Sequence, residues 1–285
     1  MLASDLSLAQ RLEHDAGTHL REYVQGLEDR LEHASECEAR KIADGVMVRT
    51  GSTLGINVAI GLGLHGPVAD TDLNELEQFF VDAGRTPRIE LCPLADASLV
   101  TQLAARGFMP QRFLQALVRP IDSEERFETT PGIEITTIDA TLEGAWVHAF
   151  KSGFGTRKAS EHSEIDSKLA QIALYRPGSS CFIARQRGEV IGTGSLVVRQ
   201  DSEGWRIGTL YLASTALHAR GRGVQHALVQ ARLEAARNAG CDAVTTQAKP
   251  GGTTALERQG FGVMYTKVVL GQLQAGARAA TLEFE

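Results

Sequence analysis

The sequence predicts an α/β protein of mixed β-sheets flanked by helices, arranged as two successive, related domains. Three observations carry this reading. Runs rich in β-branched residues alternate with amphipathic stretches of helical period, short signatures recur at a long and nearly constant offset, and a basic glycine turn joins a strand directly to a helix.

The first segment reads as a short helix near 6–12 and a longer one that places Leu20, Val24, Leu27, Leu31 and Ala34 on one face. Asp15-Ala16-Gly17-Thr18 is expected to separate them, with Thr18 as N-cap. Strands follow at 46–49 and 56–60, divided by a Gly/Ser/Thr turn. A helix over 72–82, opened by Thr71 or Asp72, buries Leu73, Leu76 and Phe80. A strand at 88–92, a helix at 97–106 stopped by Gly107 and a strand at 113–119 complete an α/β unit.

The polar, acidic connector after Pro120 marks the boundary. The expected division is a first domain over 1–122, a linker over 123–131, a second domain over 132–271 and a tail over 272–285. In the second half, strands are expected at 133–138, 205–215, 243–248 and 263–270, with a hairpin of 181–185 and 190–199 about Arg187-Gly188. Helices are expected near 142–150, at 164–174, from Val224 with Leu228, Ala231 and Ala235 on its inner face, and at 253–259. The halves echo each other: Gly107-Phe108 recurs as Gly260-Phe261, Pro93 after one strand as Pro250 after another, and Ala83-Gly84 as Ala239-Gly240.

Composition narrows the function. A 43% hydrophobic and 22% charged chain of 285 residues is that of a globular protein, and a net charge of -6 argues against nucleic acid as partner. Four separated cysteines without CxxC pairing are expected to be reduced thiols, and the start of the chain lacks a signal segment, so the expected location is cytoplasmic, away from membranes. The eight histidines form no metal-binding signature, so no metal is expected. His218 and His226 flank the glycine turn as surface residues.

The turn itself is the strongest functional signal. A glycine loop feeding a helix start presents unpaired N–H groups and the positive end of the helix dipole, which suits a phosphate. A literal GxGxxG at 61–66 also follows a strand, but Pro67 and the residues after it delay the helix, unlike a dinucleotide loop. It occupies the place of the basic turn in the first half, which therefore reads as having lost phosphate binding.

Residues 220–225, RGRGVQ, resemble the acyl-CoA pyrophosphate loop, Q/R-x-x-G-x-G/A, of the GCN5-related N-acetyltransferase (GNAT) superfamily. Arg220 and Gly223 fill the first and fourth slots, and Gln225 stands where Gly or Ala is usual. A side chain of that size must point away from the phosphates or offer them its amide. The resemblance covers about 133–270 and implies two tandem domains, each a central mixed sheet flanked by helices, the first degenerate.

It further implies that the strand before the loop splays from the next parallel strand and that acetyl-CoA, as cosubstrate, lies against Leu212, Ala213, Ser214, Thr215, Arg220, Gly221, Arg222, Gly223, Val224 and Gln225. The implied reaction is acetyl transfer to a primary amine of a small molecule or peptide. The family's Glu on the strand before the loop is absent, and its Tyr slot holds Leu256, so direct attack is expected. Tyr265 is the replacement acid chosen, with Tyr211 as the other candidate, while Glu257 reads as a solvated helix residue. Residues 151–164 are the expected acceptor rim, and a homodimer is allowed. The reading from another class is a non-catalytic acyl-CoA-binding or scaffold protein.

Overall fold

A computed structural model describes residues 5–29, 37–50, 56–153 and 165–272. The chain forms two compact units, each built on mixed sheet and helix. The first comprises Ser4–Glu28, His33–Leu114 and Tyr265–Glu285, and the second is mainly Gln115–Met264.

In the first unit, α1 (Leu6–Glu28) opens with the Asp5 carboxylate accepting the Leu8 N–H at 2.7 Å. It is one continuous helix, so the expected break at 15–18 does not occur. Gly17 is buried where a Cβ would stand 3.4 Å from Val46, and the small residue serves close packing on the sheet. Val24 and Leu27 are buried as expected, Leu20 only partly, and Leu31 and Ala34 lie outside the described residues.

Strands β1 (Cys37–Ile42), β2 (Gly45–Thr50), β3 (Val58–Ile60) and β4 (Arg88–Leu91) follow, with α2 (Asp70–Val81) and α3 (Ala97–Ala105). β1 and β2 pair antiparallel, as do β2 and β3, whereas β3 and β4 are parallel. The expected Leu73, Leu76 and Phe80 are buried under α2, joined by Phe79, and pack with Ile89, Leu99 and Leu103. Asp96 caps α3 through the Ser98 N–H at 2.9 Å. The final strand β11 (Gly262–Gln272) pairs antiparallel with β4.

The second unit is entered within β5 (Phe108–Pro120) and left within β11. Its strands lie in the order β5, β10 (Ala243–Ala248), β9 (Arg206–Thr215), β8 (Glu189–Gln200), β7 (Ser179–Gln186) and β6 (Glu134–Thr137). Among its described pairings only that of β9 and β10 is parallel. Arg187 and Gly188, at φ 52° and 83°, make the tight β7–β8 turn that the sequence indicates. Helices α4 (Glu143–Ser152), α5 (Ile165–Tyr175), α6 (Val224–Asn238) and α7 (Thr254–Glu257) complete the unit.

Leu228, Leu233, Ile191, Leu196, Leu210 and Val244 are central to its core. The inner face of α6 is rotated from the expected one: Val224 and Leu228 are buried, but Arg232, Leu233 and Ala236 are buried beyond them, while Ala231 and Ala235 are only partly covered. The connector 123–131 is irregular and held against α6 by the Glu128 N–H on Gln230 at 3.1 Å and by Phe127, under the guanidinium groups of Arg119 and Arg237. No described helix is long and apolar enough to cross a membrane. All four cysteines are buried thiols.

Candidate functional site

β9 carries the site because its two edges are treated differently. Along β8 it is paired from Arg206 to Thr215, but along β10 its register runs only from Ile207 to Thr209. Past that point the parallel strands part, and the Thr246 hydroxyl, donating to the Leu210 carbonyl at 3.2 Å, marks the apex of the gap. The splay implied by the family resemblance is therefore present, and it leaves the end of β9 without a ladder on that side among the described residues.

A bulge sits beside the gap. Tyr211 lies opposite Ser195 and Ser214 opposite Thr193, so Leu212 and Ala213 together face Gly194. Leu212 adopts φ 45°, a left-handed conformation that a branched side chain rarely takes and that costs about 1–2 kcal/mol. Ser214 is buried with its hydroxyl 2.8 Å from that of Thr193 and donating to Ala149 of α4 at 3.2 Å. The Ser214 side chain thus serves the interior.

Behind Ser214, the end of α4 comes so close that a Cβ on Gly153 would stand 2.4 Å from the serine's own. Gly153 is therefore required by contact, a need invisible in the local sequence. The expected rim at 151–164 lies largely outside the described residues.

From Thr215 the chain makes a short 3-10 turn (Leu217–Ala219) and reaches the loop. Gly221 and Gly223 hold φ 75° and 83°, conformations suited to glycine, and space is open where Gly221 would carry a side chain. Gly223 is the N-cap of α6, whose first turn contains no acid, so the positive helix end is not neutralised from within. Arg222 is exposed beside it, and Arg220 donates to the Gly153 carbonyl at 2.9 Å.

Val224 is buried beneath the loop. Gln225 turns its amide away from the helix start, donating to the Ser214 carbonyl and the Thr215 hydroxyl, each at 2.8 Å. Of the two orientations that the sequence allows, the amide takes the one pointing back to β9. His218 and His226 are surface residues near Glu189 and Glu128, at 3.2 and 3.8 Å.

The structure thus brings Leu212–Thr215 and Arg220–Gln225 together at one end of β9. Tyr211 is on the same strand with its hydroxyl 2.6 Å from that of Ser179, and burial raises its pKa. Glu257 is exposed. Tyr265 belongs to the first unit, where its hydroxyl donates to Glu13 at 2.7 Å. Burial first, then the charge of Glu13, pushes its pKa far up. Glu13 also pairs with Lys267 at 2.8 Å, both 1% exposed, and Glu90 lies 3.5 Å from the same ammonium.

The first unit treats its own glycine loop differently. Gly61, Gly63 and Gly66 all have positive φ, but α2 begins only at Asp70. The Asp44 carboxylate accepts the N–H of Gly63 at 3.0 Å and of His65 at 2.8 Å. Burial alone would raise the Asp44 pKa, but the bonds from His65 and Gly63 outweigh it and hold it below the usual value. An internal carboxylate thus takes two of this loop's amides.

Residues 145–261 match the model of the Acetyltransferase (GNAT) family. No curated protein matches the chain. A GCN5-related N-acetyltransferase from Kribbella flavida is similar in structure, with 14% identity, 93% of this chain and 97% of that one covered, and a TM-score of 0.65. A tandem GNAT protein from the clavulanic acid biosynthesis pathway aligns at 13% identity over 97% and 98% of the two chains, with a TM-score of 0.60. A GCN5-related N-acetyltransferase from Sphaerobacter thermophilus gives 17%, 80% and 80%, and 0.56. Residues 145–261 thus match the GNAT family in sequence, and over nearly its whole length the chain is similar in fold to GNAT proteins, a tandem one among them.

Proposed function

We propose that the chain is an acetyl-CoA-dependent N-acyltransferase that moves the acetyl group to a primary amine of a small molecule or peptide. The observation that carries this is the parting of β9 from β10 beyond Thr209, leading into the left-handed glycines at the start of α6. The residues fit the cosubstrate: Arg222, the loop amides and the α6 N-terminus meet the pyrophosphate, and the backbone of 212–215 meets the pantetheine arm. The second unit holds this site. The first, its loop amides already bound to Asp44, binds no cofactor.

Transfer proceeds by direct attack. The amine nitrogen adds its lone pair to the thioester carbon, the C–N bond forms, the C–S bond breaks with its electron pair passing to sulfur, and the ammonium proton leaves to water. No carboxylate lies on β9, so positioning and backbone N–H groups beside the bulge at Leu212 supply the acceleration. Buried thiols suit the reducing, cytoplasmic setting of the proposal.

One observation favours a second reading, a non-catalytic acyl-CoA-binding or scaffold protein. β9 carries no carboxylate and Leu256 stands in the Tyr slot, so the residues that would serve as base and acid are missing while the loop is kept. Calorimetry with acetyl-CoA, beside a free-thiol release assay over an amine panel, separates the two. Micromolar binding with amine-dependent thiol release is expected. Binding without turnover on any amine supports the scaffold, and absence of binding ends both readings.

A further inference from the structure

Arg232 is the residue whose position the family resemblance does not anticipate. It lies in the middle of α6, 2% exposed, among the largest fully buried side chains of the protein. Its guanidinium donates only to carbonyls, Leu228 at 2.9 Å and Ser195 at 3.4 Å. No acidic side chain among the described residues pairs with it, and burial lowers its pKa only to about 10, so it is a cation at neutral pH. Burying such a charge costs several kcal/mol unless something negative offsets it.

Its location suggests what that is. A Cβ on Gly194 would stand 2.9 Å from the Arg232 Cζ, so this glycine exists to admit the guanidinium. Gly194 is also the residue that faces Leu212 and Ala213 across the β8–β9 ladder. The cation therefore lies under the bulge, on the α6 side of the sheet. With strands about 4.8 Å apart, the gap beyond β9 is roughly two strand spacings away.

We infer that Arg232 is a fixed buried cation that stabilises the negative charge developing on the leaving sulfur of a thioester held against the bulge at Leu212–Ala213. The inference rests on the function proposed above. Arg232 touches neither sulfur nor carbonyl and acts through the field across β8 and β9. In the transfer step it takes no proton: the C–S electron pair moves to sulfur, and the guanidinium lowers the cost of holding it there.

The other ionisable groups at this level do not substitute for it. Cys181, whose Sγ is 3.3 Å from the Ser195 hydroxyl, and Tyr211 pair with Ser195 on the opposite face of the sheet. Burial pushes the Cys181 thiol up to about 11 and raises Tyr211. Arg176 lies over the Tyr211 ring, also on that face. On α6 itself, Glu234 and Arg237 pair with each other at 3.5 Å.

The test is the thiol of bound CoA, titrated by its thiolate ultraviolet absorption against the same protein without CoA. In the wild type it should titrate about one unit below free CoA, a tenfold gain in thiolate at a given pH. Arg232→Met should abolish the shift and lower kcat about tenfold with acetyl-CoA affinity kept within about threefold, while Arg232→Lys should retain most of the shift. A purely structural role predicts the same thiol titration in wild type and Arg232→Met, and that result overturns the inference. A wild-type bound thiol that titrates like free CoA overturns it as well, even where the Met variant does not fold. If the wild type binds no CoA, it is the proposed function that fails.

Discussion

The Gln225 amide donates to the Ser214 carbonyl at 2.8 Å and thereby ties the first turn of α6 to the end of β9. The GNAT loop pattern that this stretch resembles has Gly or Ala at this slot, where Gln225 here acts as a brace. Gln225→Ala removes two hydrogen bonds, that to the Thr215 hydroxyl included, each worth about 0.5–1.5 kcal/mol. Acetyl-CoA affinity should fall about threefold to tenfold by calorimetry. Tighter binding in the variant would mean that the brace competes with the pantetheine arm.

The two glycine loops should respond oppositely. Arg220→Ala combined with Gly223→Val disturbs a left-handed N-cap and the guanidinium link to Gly153, and should weaken acetyl-CoA binding by about 2–4 kcal/mol. Gly63→Val, in the loop that Asp44 holds, should lower the melting temperature and leave affinity within about twofold. Equal losses of affinity would place the cosubstrate in the wrong unit.

Tyr265 provides a clean separation of packing from catalysis. Tyr265→Phe deletes the donor to Glu13 and should cost about 1–3 kcal/mol in denaturant unfolding, with kcat changed less than threefold. A hundredfold fall in kcat at unchanged stability would instead assign Tyr265 as the proton donor to the leaving group.

Asp44 makes a pH-dependent contribution to stability. Its folded pKa lies below the unfolded value of about 3.8, so the ionised carboxylate stabilises the fold above that pH, and the contribution is lost as pH falls through the folded value. Asp44→Asn should cost about 2 kcal/mol at pH 7, where two charge-assisted bonds from Gly63 and His65 are weakened. The difference between variant and wild type should shrink below about pH 4 in acid unfolding followed by circular dichroism.

Much of the second unit was legible because its signals are local. The strand at 243–248, the hairpin about Arg187-Gly188 and the start of α6 at Val224 stand where sequence reading puts them, since turn residues and period alone decide them. β1 was not legible: Glu38, Arg40 and Lys41 break any apolar alternation, and the strand is recognisable only through its pairing with β2. The helix break expected at Gly17 failed because the glycine meets Val46, a contact with distant chain.

In the candidate site, the loop could be read from its glycines, but the bulge at Leu212, the contact need at Gly153 and the buried cation at Arg232 could not. Each depends on which residue faces which across a ladder. Leu, Gly and Arg at these positions look ordinary in a linear scan, and propensity would put Arg232 on the surface. Asp44 was missed for the same reason, since nothing in the hairpin turn points to a loop some twenty residues on.

The route of the chain through the two units bears on how the protein is made. Glu13, in α1, is buried against Tyr265 and Lys267, which are synthesised some 250 residues later. Until they arrive, its carboxylate lacks the ammonium that makes burial tolerable. The second unit, by contrast, is nearly contiguous in sequence and complete before β11 ends. During translation the proposed cosubstrate-binding unit should therefore reach its native state first, and the unit that joins α1 to β11 should be the last to settle.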